Sequence, residues 1–173
     1  MEKKVTSPLT AALIISLIMI VLDLVGGFAN IKFSTWFKWI PTLVLCIAII
    51  IVCINYANQK NNLVTFGNVF GHGFKTSAII ACVMVVYTLL SVYLIFPETK
   101  DKVLEEARRQ MESKGALSED QIDQALSITK TMFLPITLLS AVFGTLIVGV
   151  IASLLGGAFA KKKPASPFDQ QTA

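Results

Sequence analysis

Residues 133–159 read FLPITLLSAVFGTLIVGVIASLLGGAF, and just beyond them stand Lys161, Lys162 and Lys163. The stretch holds no Asp, Glu, Lys or Arg. It exceeds the run of about 20 apolar residues that a helix needs to cross a hydrocarbon core of about 30 Å. Pro135 falls where the first helical turn is expected, a position at which a missing N–H costs little. The lysine triplet suits a juxtamembrane anchor facing anionic lipid. The stretch therefore reads as a membrane-spanning helix.

Working back along the chain, the pattern recurs three times. Residues 9–28 follow Ser7-Pro8, an N-cap with proline in the first turn. Residues 40–57 have Trp36 and Trp39 at their start, where indole rings favour the membrane interface, and Pro41 in the first turn. Residues 76–96 are closed by Pro97. Lys3 and Lys4 before the first block admit a signal peptide. The block exceeds the usual h-region and lacks a small-x-small cleavage site, so a retained anchor is expected.

Composition agrees. The 173 residues are 54% hydrophobic and 15% charged, against about 25% charged in soluble domains. A net charge of +4 does not by itself indicate nucleic-acid binding, which needs a basic patch on a soluble face. The fold expected is an all-α membrane protein forming one four-span domain over residues 1–173, with a polar tail at 161–173.

Between the third and fourth blocks, residues 98–131 form the one sizeable polar segment. They read as a helical hairpin turning at Gly115. Its first helix carries Leu104, Ala107 and Met111 at helical spacing and an i,i+4 pair of Glu105 with Arg109. Its second opens on Ser118-Glu119-Asp120-Gln121, a capping box, with Leu117 and Ile122 spaced as a hydrophobic staple. Ile122, Ala125, Leu126 and Thr129 continue one stripe. An even number of spans puts both termini on one side. The undiluted lysine triplet places that side in the cytoplasm, although basic residues are nearly balanced between the two sides.

Chemistry-bearing residues are few. Asp23 is the one ionisable residue well inside a predicted span, and intramembrane carboxylates are usually partnered and often functional. It is either a proton or cation site, or a structural group bonded to hydroxyls such as Thr137 or Ser140. His72 is the sole histidine, in TFGNVFGHGFK (65–75), where Phe66, Phe70 and Phe74 recur every four residues. Three glycines there weaken a regular helix, so an interfacial or re-entrant segment leading into the third span is expected, with His72 as an interfacial ring. Cys46, Cys53 and Cys82 show neither C-x-x-C nor Cys/His ligand spacing, so no metal site or disulfide framework is expected. No cofactor is indicated.

The last span carries Ala141, Thr145, Gly149, Ser153 and Gly157 every four positions, with Ser140, Gly144, Ala152 and Gly156 on the adjacent face. Such rows let helix backbones approach closely in lipid. They serve either packing within the chain or a seam for a second copy or another membrane protein. Phosphate-loop, H-E-x-x-H and nucleophile-elbow signatures are absent.

Three stretches resemble a bacterial membrane family known as domain of unknown function 4199: VTFGNVFGHGFK (64–75), MESKGALSEDQID (111–123), and the glycine-rich last span ending in Lys161, Lys162 and Lys163. The resemblance implies a four-span inner-membrane protein of Bacteroidetes-type bacteria without an assigned activity, and carries over no catalytic residues. The function expected is that of a non-enzymatic structural, interaction or assembly component of the inner membrane, whose partners are the bilayer and either a second copy or another membrane protein. The alternative is a small oligomeric transporter or channel using Asp23.

Overall fold

The computed structural model describes residues 5–29, 31, 34, 36–37, 39–115 and 118–161. Among the described residues five helices follow one another: α1 (Pro8–Phe28), α2 (Trp39–Gln59), α3 (Phe66–Leu90, continued by one π-helical turn, Ser91–Ile95), α4 (Thr99–Lys114) and α5 (Glu119–Phe159).

Local chemistry sets the ends. The Ser7 hydroxyl accepts the Thr10 amide at 3.1 Å, and Pro8 occupies the first turn of α1. After α2, Asn61 and Asn62 both adopt left-handed backbone, with φ of 54° and 63°. The Asn62 amide then reaches back to the Ala57 carbonyl at 2.8 Å, satisfying a group the helix end leaves free. Thr65 caps α3 by accepting the Asn68 amide at 3.3 Å. The π turn closes with the Phe96 amide on the Ser91 carbonyl at 2.7 Å, immediately before Pro97.

Two expectations are overturned. The glycine-rich stretch before residue 76 is neither re-entrant nor irregular; it forms the first turns of α3. Each glycine costs about 1 kcal/mol relative to alanine in a helix. An unwound backbone in hydrocarbon would leave polar groups unsatisfied at several kcal/mol each, so the helix is retained. Nor does the chain break before Phe133: α5 is one helix of 41 residues with Pro135 inside it. Proline removes one hydrogen bond, whereas ending and restarting a helix would orphan four amides and four carbonyls. Neighbouring hydroxyls add bonds to the same stretch, Thr131 to the Ser127 carbonyl at 3.1 Å and Thr137 to the Phe133 carbonyl at 2.7 Å.

The chain divides into two compact units, Met1–Met84 with Phe143–Ala173, and Val85–Val142. In the first, the core is built from Ala12, Ile15, Ile49, Cys53, Val69 and Ala152, among others. Bulky side chains face outward: Leu17 is 63% exposed, Ile47 56% and Ile147 59%. In water such a surface would aggregate; in hydrocarbon it is ordinary. Four helices are long and apolar enough to cross a membrane, three of them α1, α2 and α5 and the fourth Phe66–Ile95. The protein is an all-α, multi-pass membrane protein.

In the second unit, Arg108 of α4 pairs with Asp123 of α5 and also lies 4.0 Å from Glu112, while Lys102 sits 3.6 Å from Glu98. Leu104, Ala107 and Met111 are half-buried, as are Ala125, Leu126 and Thr129, and Ile122 is buried. The Ser118 amide donates to Gln121 Oε1 at 3.0 Å, one half of the expected capping box. Leu117 of the expected staple lies outside the described residues.

Gly115 links α4 to the segment before α5 with a φ of +61° and no atom near its Cβ position, so its constraint is purely conformational. Gly115→Val should speed amide hydrogen exchange in the last turns of α4 by roughly tenfold, the cost of a left-handed β-branched residue. Gly115→Asn should have a smaller effect, and equal exchange in both variants would contradict this account.

Candidate functional site

A tightly packed region lies in the first unit, where α2, α3 and α5 meet. A Cβ built on Gly73 of α3 would stand 2.5 Å from Cys53 Sγ of α2 and 2.6 Å from Ser153 Oγ of α5. One built on Gly149 would lie 2.4 Å from both Cβ and Oγ of Ser77. One built on Gly156 would lie 2.6 Å from Cys53 Cβ and 3.3 Å from Ile50 Cα. None of these positions admits a methyl group. The three helices approach as closely as small residues allow, the arrangement that supplies van der Waals packing where no hydrophobic driving force exists.

Hydroxyls in the seam are largely used by their own helix. Ser77 donates to the Gly73 carbonyl and Thr76 to the His72 carbonyl, each at 2.9 Å. Cys53 Sγ lies 3.8 Å from the Val69 carbonyl, a weak sulfur contact. Ser153 Oγ is fully buried and makes no hydrogen bond among the described residues. His72 is buried in α3 and stacked on Tyr56 of α2, with ring centroids 4.1 Å apart and planes 17° from parallel. Among the described residues, no three His, Cys, Asp or Glu gather closely enough to hold a metal ion.

The residues singled out in the sequence are distributed unevenly. Gly149 and Ser153 lie in the seam, and Gly157 faces the Phe66 ring, which its Cβ would approach to 2.9 Å. Ala141 and Thr145 are half-buried. On the neighbouring row Gly156 is buried, whereas Gly144 is exposed with nothing within 4 Å. Asp23 is half-buried in α1. Lys161 is exposed beyond the end of α5, and Lys162 and Lys163 lie outside the described residues. The α3 half of the seam, Gly73 and Ser77, was not singled out in the sequence, although its i,i+4 spacing mirrors that of Gly149 and Ser153.

A model of the family described as "Protein of unknown function (DUF4199)" matches residues 9–162. The chain belongs to this family. The match runs from the first turn of α1 past the end of α5, so the seam, the second unit and most of the first fall within it. No curated protein and no solved structure matches the chain. The DUF4199 assignment brings no activity with it.

The seam makes a size-dependent prediction. Gly149→Ala should lower stability by about 1–3 kcal/mol, the usual cost of overpacking, whereas Gly144→Ala, with open space around it, should be neutral. Ser77→Gly should recover part of the Gly149→Ala loss. Thermal melting in detergent micelles checks all three, and equal melting of the Gly149 and Gly144 variants would contradict the described packing.

Proposed function

We propose that this DUF4199 protein is a non-enzymatic membrane component that acts by binding a further helix, from a second copy or from another membrane protein. The observation that carries the reading is the closure of the α2–α3–α5 seam. The close approach at Gly73, Gly149 and Gly156 supports a packing role for the seam. The Thr76 and Ser77 hydroxyls there give their hydrogen bonds to their own helix, which supports a structural role for them. What stays available for chemistry between molecules lies on the surface: the open small residue Gly144 on α5, and the charged, exposed residues Glu105, Arg109, Glu119 and Asp120 of the second unit. Placement in a bacterial inner membrane with cytoplasmic termini belongs to the same proposal, supported by the undiluted triplet Lys161, Lys162 and Lys163 beside the last span.

Native mass spectrometry of the protein gently extracted from its own membranes tests it. A stoichiometric partner or a defined homo-oligomer is expected, lost on Gly144→Leu while helicity and melting stay unchanged. A monomer without a partner would count against the reading. Transport remains the second reading, favoured by a carboxyl group half-buried within a span. It requires Asp23→Asn to abolish cation or proton flux in proteoliposomes at equal incorporation, and equal flux in both proteins would sink it.

A further inference from the structure

Opposite the seam, α3 has a second face. Gly67, Gly71, Lys75, Ala78 and Cys82 recur at intervals of four, four, three and four residues, so they share one side of the helix. This side is open. The nearest atom to a Cβ on Gly67 is Thr65 Oγ1 at 3.9 Å, nothing comes within 4 Å of one on Gly71, and Lys75 and Cys82 are exposed. One flank is a ridge of stacked rings, Phe66 on Phe70 at 6.3 Å and Phe70 on Phe74 at 6.0 Å. On the other flank is His72, only 8% exposed, whose ring makes no hydrogen bond among the described residues and stacks on Tyr56.

Lys75 is the anomaly on this face. Gly73 is level with Cys53 and Ser153, which places Lys75 about 12 Å below the ends of α2 and α5 at 1.5 Å per residue. An exposed ammonium at that depth needs an anion or a route to the interface. Asp23, the sole carboxylate described in this unit, lies about 22 Å along α1 from its start. The start of α1 is tied to the end of α2 by Thr6 and Gln59, so Asp23 is well below the level of Lys75. Helical side chains lean toward the helix N-terminus, and for α3 that direction leads along the row of Gly71 and Gly67 to the bilayer edge. The missing side chains at those two glycines leave room for a headgroup beside the ammonium.

We infer that this face binds one anionic phospholipid from the leaflet in which α2 and α5 end. Its phosphate pairs with Lys75 over Gly71 and Gly67, and an acyl chain runs inward past Ala78 and Cys82 along the phenyl ridge. Charge complementarity selects this occupant over a second copy. Two α3 helices paired symmetrically on this face would bring Lys75 against its own counterpart in a low dielectric.

The test is native mass spectrometry of the full chain released from nanodiscs of equal phosphatidylglycerol and phosphatidylcholine. The wild type should retain one phosphatidylglycerol preferentially. Lys75→Gln should reduce that retention about fivefold, Lys75→Arg should preserve it, and Lys60→Gln, which removes an equal charge elsewhere, should leave it unchanged. Gly71→Leu should abolish it by filling the trough. Equal retention of the two lipids, or an undiminished phosphatidylglycerol adduct in Lys75→Gln, overturns the proposal. So does efficient oxidative crosslinking of Cys82 between wild-type copies in the bilayer, which would put a second copy on this face.

Discussion

The closeness with which α3 approaches α2 and α5 governs the rest of the first unit. Water drives apolar side chains together in a soluble protein; hydrocarbon gives no such push, and attraction between helices must come from contact. Contact improves as backbones draw nearer, and the limit is set by the side chains between them. Gly73, Gly149 and Gly156 remove that limit at three points, and Cys53, Ser77 and Ser153 fill what remains. The bulky residues displaced from the interior then appear on the outside, where lipid accepts them.

This inversion explains why some features were readable from the chain and others were not. All four spans follow from length and apolarity, because a membrane helix advertises itself over some twenty residues. Their boundaries were less legible. Prolines and glycines usually punctuate soluble helices, and Pro135 and the glycines at 67, 71 and 73 suggested interruptions. In hydrocarbon the cost of unpaired backbone groups outweighs those local preferences, so α3 and α5 continue through them.

The small-residue rows of α5 were equally legible as a pattern and ambiguous as a contact. Spacing shows which residues share a face, not what faces them. Gly149 meets Ser77, yet Gly144, on a neighbouring row, meets nothing. His72 illustrates the same limit. A single histidine among aromatic residues near a predicted span does not disclose its neighbours, and Tyr56, on which it stacks, lies on another helix. Family membership does not rank these sites, since no activity comes with it.

The composition of the seam has a thermal consequence. A soluble core separates into water, exposing apolar surface and raising the heat capacity, so its hold weakens on cooling. The helices around Gly73 separate into lipid chains as apolar as themselves, with little apolar surface newly hydrated. Their cohesion rests on dispersion contacts, whose strength hardly depends on water structure. The bundle is thereby insulated from the cold-weakening that limits soluble folds, and its low-temperature behaviour is handed over to the fluidity of the surrounding bilayer.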